Sequence, residues 1–250
     1  VNAAVSDLTP GTPDATDISL SAGRAVAINA PVDTGGGDLS INASGNVAVN
    51  NTIVTDGGSF NSAGVDFASV AGGTITTGGG DVNMQGHSGA VSINDTIDTT
   101  GGAGVIRISG TSIALTPNIN PVVLDSGGAI TLRTGDIAVN GGVAGPSVTV
   151  DDLSGNGIGL GSTAVAGGLN MDGGELQNVT TAALELDTAN SITVDGISAA
   201  NSLNATVVTL DAARAVSFVN NPSTFQSLVV QADDGIAVDT DISTATGNLS

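Results

Sequence analysis

The sequence predicts an all-β parallel β-helix, a solenoid of about eleven coils with about 20–24 residues in each. Three observations predict it. Ile53, Ile75, Ile97 and Ile119 stand 22 residues apart, and a fixed period in this range marks one supersecondary unit stacked on copies of itself. Pairs of apolar residues in i, i+2 alternation precede these isoleucines, which is a strand signal and not a helix signal. The composition has 37 Gly but only 2% aromatic residues, so corners are plentiful and the interior is filled by small aliphatic side chains.

The elements follow in order. A first strand in each coil is marked by Leu39/Ile41, Val82/Met84, Ile106/Ile108 and Ile130/Leu132. A second is marked by Val47/Val49, Val91/Ile93, Ile113/Leu115 and Ile137/Val139, and both lie upstream of the isoleucine series. The steps from Ile106 to Ile130 and from Ile113 to Ile137 are both 24, so the two strands keep step while coil length varies. Leu184/Leu186, Val208/Leu210 and Leu228/Val230 do the same beside Ile192/Val194, Val216/Phe218 and Ile236/Val238. Glycine clusters at 35–37, 57–58, 78–80, 101–102 and 127–128 fall before first strands, where corners need left-handed backbone. Asn29, Asn50, Asn94 and Asn140 directly follow second strands and are expected to stack as a partial ladder, broken at Gly72 and at Thr116-Pro117. Spacing is irregular over 161–183, which reads as an irregular coil or insertion. Residues 1–250 otherwise read as a single continuous solenoid, a rod on the order of 50 Å long at about 4.8 Å per coil. Thr246–Ser250 matches the corner and strand opening at Gly36–Ser40, so a section of a longer chain is expected.

Charge narrows the function. The chain carries 24 acidic and 4 basic residues, net −20. All four basic residues are arginines, and only Glu175 and Glu185 among the acids are not Asp. Nothing here neutralises phosphates, which excludes nucleic acid as a partner and disfavours anionic membrane surfaces. Asp at corners either hydrogen-bonds its own backbone or holds Ca²⁺, which takes oxygen ligands in flexible geometry. Asp151, Asp152, Asp233 and Asp234 are the candidate Ca²⁺ ligands; no other cofactor is expected. With no Cys there is no disulfide framework, thiol chemistry or Cys-ligated zinc. No run of apolar residues is long enough to span a membrane.

Catalysis has few candidates. Gly86-His87, Asp151-Asp152 and Asp233-Asp234 resemble fragments of polygalacturonase-type sites, but their order is wrong and the Arg-x-Lys element is missing. An enzyme of this class needs clustered Asp with a basic partner in one groove, and that clustering is not expected. His87 reads as an exposed corner residue. Arg107 and Arg133 sit between the apolar members of their strands, so they point outward to compensate nearby Asp.

The units at 45–58 (Gly-Asn-Val-Ala-Val-Asn-Asn-Thr-Ile-Val-Thr-Asp-Gly-Gly), 89–102 (Gly-Ala-Val-Ser-Ile-Asn-Asp-Thr-Ile-Asp-Thr-Thr-Gly-Gly) and 228–242 resemble repeats of filamentous-haemagglutinin-type bacterial adhesins. The resemblance covers roughly 23–145 and 184–250. It implies a right-handed parallel β-helix, an extracellular location at the surface of a Gram-negative bacterium, and a role in adhesion or fibre building. The expected function is therefore a non-catalytic structural or adhesive rod segment whose partners are adjacent copies or adjacent repeats, with host or cell-surface ligands bound elsewhere. The alternatives are a polymerising fibre, sheath or surface-layer subunit joined through open β edges, and a carbohydrate-active β-helix.

Overall fold

The computed structural model describes residues 16–117 and 122–250. It is nearly all-β, with parallel strands stacked into a β-solenoid of about 10 turns. The chain divides into two compact units, Val1–Ile130 with Gly141–Gly145, and Thr131–Asn140 with Pro146–Ser250.

In the first unit each coil lays one strand on each of three faces. The first face stacks Ile18–Ala22, Leu39–Ala43, Phe60–Gly64, Val82–His87 and Ile106–Gly110. The second stacks Val26–Ile28, Val47–Val49, Phe67–Ser69, Ala90–Ile93 and Ser112–Leu115. The third stacks Val32–Asp33, Ile53–Val54, Ile75–Thr76, Ile97–Asp98 and Val122–Asp125. Alternation turns the apolar members inward: Leu39, Val47, Ile53, Ile75, Met84, Ile93 and Ile97 are at most 1% exposed. Burying each contributes roughly 1.5–3 kcal/mol. Two of the four Phe belong here too: Phe60 and Phe67 are buried and meet edge to face at 6.5 Å.

The isoleucine series is a true register column, but it is shorter at one end and longer at the other. Val32, Ile53, Ile75 and Ile97 pair in succession. The residue opposite Ile97 is Leu124, not Ile119. Ile119 itself lies outside the described residues. The coil between Ile97 and Leu124 is longer than the fixed period allows, so equal spacing in sequence there is not equal position in space.

The asparagine ladder is also corrected. Asn50 Nδ2 donates to Asn29 Oδ1 at 2.7 Å, which makes one rung. Val70 occupies the same corner in the next coil, because Val49 pairs with Ser69. The break is therefore at Val70 and not at Gly72. Asn94 takes a different partner, its backbone N–H donating to Ser69 Oγ at 3.0 Å. Asn140 belongs to the second unit and is exposed.

A stronger ladder runs inside another corner. Thr34, Thr55, Thr77 and Thr99 are at most 1% exposed. Their hydroxyls donate to the carbonyls of Gly37 (2.5 Å), Gly58, Gly80 (2.5 Å) and Gly104 (2.7 Å). Each such bond contributes about 1 kcal/mol and keeps a buried hydroxyl satisfied. The turns repeat in their backbone: Gly35/Gly36 at φ 61 and 110, Asp56/Gly57 at 47 and 108, Gly78/Gly79 at 61 and 111. Asp56 takes the left-handed place that glycine fills in the neighbouring coils, as a short polar side chain can. Outside the same corner, Asp17 Oδ1 accepts the Asp38 N–H (2.9 Å) and Asp38 Oδ1 accepts the Ser59 N–H (2.7 Å). These aspartates are corner fillers.

The second unit is less regular. One sheet stacks the C-terminal part of Gly142–Asp152 with Val179–Thr188, Ala205–Ala212 and Leu228–Ala232. Another has the order Leu169–Met171, Ile158–Gly161, Ile192–Asp195, Ala215–Phe218, Gly235–Val238. Leu169–Met171 is out of chain order, so the segment after 161 steps back to the far side of Ile158–Gly161. This is the irregularity that the spacing indicates over 161–183. The step back leads into a one-turn helix, Gly173–Gln177, closed by a capping box between Asp172 and Glu175. Glu175 Oε1 accepts the Val139 N–H at 3.0 Å, and Asn178 Nδ2 donates to the Val139 carbonyl at 2.7 Å. The two side chains thus satisfy backbone groups that an edge strand leaves open.

Candidate functional site

The second unit carries an open cleft of about 480 Å³ on the outer surface of its first sheet. Strand alternation builds it. Leu186, Leu210 and Val230 are in register, and so are Asp187, Asp211 and Gln231 one residue on. The leucines point in, so the aspartates point out. Asp151 lies between the buried Val150 and Asp152 and faces the same way. Parallel strands lie about 4.8 Å apart, so Asp151, Asp187 and Asp211 form a column of outward carboxylates. Arg133 closes one end, its Nε donating to Asp151 Oδ2 at 2.6 Å. Asp233, Leu153, Ala189 and Ala213 line the rest.

The electrostatics follow from this column. Partial burial raises the pKa of Asp187 above the ordinary carboxylate value, and the negative charges of Asp151, Asp211 and Glu185 push the same way, with Arg133 opposing. A row of carboxylate acceptors with a guanidinium at its end suits hydrogen bonding to a polyhydroxylated ligand. Clustered Asp with a basic partner in one groove is what the sequence reading did not expect. The columns come from strands 18 to 36 residues apart in the chain, and only the register brings them together.

The Ca²⁺ candidates separate. Asp151 is engaged by Arg133. Asp152 is buried and accepts from Ser154 N–H (2.8 Å), Gly157 N–H (3.0 Å) and Thr188 Oγ1 (2.9 Å), so its oxygens hold the loop that walls the cleft. Asp233 reaches the cleft rim, and Asp234 is exposed outside its lining. Among the described residues no three His, Cys, Asp or Glu side chains converge on a metal position. Exhaustive chelation is therefore expected to leave the melting temperature unchanged. A fall of more than a few degrees, restored by Ca²⁺, overturns that expectation.

Two sites escaped the sequence reading. Asp195 is 3% exposed. It accepts from Thr163 Oγ1 (2.5 Å), from Asn220 Nδ2 (3.0 Å), and from Asn221 through Nδ2 (2.9 Å) and backbone N–H (3.1 Å). The hydroxyl of Thr163 and the two asparagine amides hold its pKa at about 2. It ties a corner of the second unit. The Asn-Asn pair at 220–221, 25 residues past an Asp at a strand end, was the only signal for it. The other site is His87, which is 5% exposed and not an exposed corner residue. Arg107 and Arg133 behave as expected, each pairing with an aspartate: Arg107 Nη1 lies 3.3 Å from Asp81 Oδ2 and Arg133 Nε 2.6 Å from Asp151 Oδ2.

The fold and the cleft together define a class: an acidic β-solenoid with an outward carboxylate column. The chain matches no family model, no curated protein and no solved structure.

Proposed function

We propose that this chain is a non-catalytic structural segment of an extracellular bacterial surface protein or fibre, of the filamentous-haemagglutinin type that its repeats resemble. One observation carries the reading. Ile236 and Val238 pair in register with the fully buried Val216 and Phe218, yet are 51% and 55% exposed. Side chains placed for a core but open to solvent suit a surface that adjacent copies or adjacent repeats cover. The net charge of −20 keeps the remaining faces apart and soluble. Electron microscopy of the native assembly tests this. Rods or fibres in which the chain occupies a stacked position support it; a dispersed monomer at the native concentration sinks it. A regular axial repeat joined strand to strand selects the polymer over the stalk.

The acidic cleft favours a second reading, a carbohydrate-active β-helix. In it, Asp187, whose pKa burial raises, takes the role of general acid and Arg133 orients the sugar. No aromatic ring is available for stacking, since the chain has no Tyr or Trp and its four Phe are fully buried. Screening neutral and acidic polysaccharides decides between the readings. Turnover that disappears in Asp187→Asn, with the fold intact by circular dichroism, establishes the second; absence of turnover on every substrate leaves the first.

A further inference from the structure

His87 is the single histidine of the chain, and its place depends on one bulge. Val82 and Asn83 pair with Phe60 and Asn61, but Gly86 and His87 pair with Ala63 and Gly64. One extra residue is absorbed between Asn83 and Gly86. Without it His87 would stand opposite Val65, which is 40% exposed. The slip turns the imidazole inward, because a shift of one residue exchanges the two faces of a strand.

Inside, Nε2 lies 3.1 Å from Ser62 Oγ, and the ring meets Phe67 edge to face at 5.5 Å. Nδ1 is buried and has no hydrogen-bond partner. A proton on Nδ1 therefore has no acceptor, and the charge of the doubly protonated ring sits against Phe67. The neighbouring elements offer little relief. Ser62 and Gly64 on the strand beneath are uncharged. Asp66, at the next corner, is the negative group whose field reaches the ring, and its Oδ1 already accepts the Ala90 N–H at 2.9 Å. Arg107, on the strand above, turns outward to Asp81. Asn83 and Gln85, on its own strand, are neutral.

We propose that His87 is an acid-sensitive latch: protonation of its imidazole releases the corner formed by residues 62–67 and 86–90 of the first unit, leaving other coils closed. The direction follows from burial. Desolvation holds the folded-state pKa down at about 4, against 6.5 for a free histidine, with Asp66 opposing. The neutral form is the folded form. Its contribution is complete above about pH 6.5, falls as the pH drops toward about 4, and changes no further below that.

Amide hydrogen exchange of the whole chain, corrected for intrinsic rates and compared at pH 7 and pH 5, tests the latch. Residues 60–67 and 86–93 are expected to open about twentyfold more often at pH 5 if the opened corner frees the imidazole. Residues 39–49 are expected to keep their protection. His87→Phe, which keeps a ring but cannot take a proton, is expected to lose the response. An equal response in His87→Phe overturns the proposal. Should that variant fail to fold, proton titration of the wild-type imidazole by NMR decides: a midpoint near 4 supports the latch, and one near 6.5 overturns it.

Discussion

Gly58→Ala is expected to cost more than about 3 kcal/mol, enough to unfold the first unit at moderate temperature. A Cβ built on Gly58 lies 2.0 Å from the Gly37 carbonyl oxygen and 2.4 Å from its carbon. The obstacle is backbone of the coil beneath, so no rotamer change relieves it. The same contact recurs upward: a Cβ on Gly80 meets the Gly58 oxygen at 2.0 Å, and one on Gly104 meets the Gly80 oxygen at 2.3 Å. Gly37, Gly58, Gly80 and Gly104 are also the acceptors of the buried threonine hydroxyls. Moving one carbonyl to admit a methyl group therefore disturbs a hydrogen bond and a coil spacing together. Gly23→Ala is the control. Nothing lies within 4 Å of its Cβ position, and it is expected to change stability by less than about 1 kcal/mol, in either direction. Thermal unfolding followed by far-ultraviolet circular dichroism compares the two. Equal midpoints for both variants contradict the stacked-corner account.

The contrast explains what the sequence could reveal. Alternation of apolar residues is local, so strands such as Leu39–Ala43 and Ala205–Ala212 are legible from a few positions. Coil length is legible where two strands shift together, as at Leu184 to Val208 and Ile192 to Val216. Equal spacing alone is weaker evidence. Ile119 keeps the 22-residue step but does not hold the position opposite Ile97, which Leu124 takes. His87 fails for a related reason: a bulge of one residue reverses its face, and Gly86, a glycine inside the strand, is the one local sign of it. The threonine corner was legible in principle, since Thr34, Thr55, Thr77 and Thr99 keep the period, but apolar alternation marks only hydrophobic residues as inward. The capping box of Asp172 and Glu175 lies in the segment that spacing marks only as irregular.

The cleft was illegible for a deeper reason. Asp151, Asp187 and Asp211 look like three of many corner or strand aspartates. Their meeting depends on the first sheet of the second unit skipping the residues spent on 158–178. The same detour makes Asp152 a wall of the cleft and not a metal ligand, since its oxygens are consumed by Ser154, Gly157 and Thr188. Electrostatic character here is set by register, which composition does not encode.

Register also predicts an unequal response along a single column. Val194, Phe218 and Val238 are successive partners. Phe218→Ala is expected to cost about 3–5 kcal/mol, because the ring is fully buried between the coils on either side and its removal leaves a cavity the flanking coils cannot fill. Val238→Ala, one coil on, is expected to cost less than about 1 kcal/mol in the isolated chain, since its side chain is 55% exposed and loses little burial. Chemical denaturation at low protein concentration measures both. The pair also bears on assembly: where copies or repeats cover the Ile236–Val238 edge, the same valine becomes core. Val238→Ala is then expected to weaken the assembly while leaving the isolated chain intact, whereas Phe218→Ala damages both. A large loss from Val238→Ala in dilute monomer contradicts an open edge, and no loss from it in the assembled state contradicts an edge that neighbours cover.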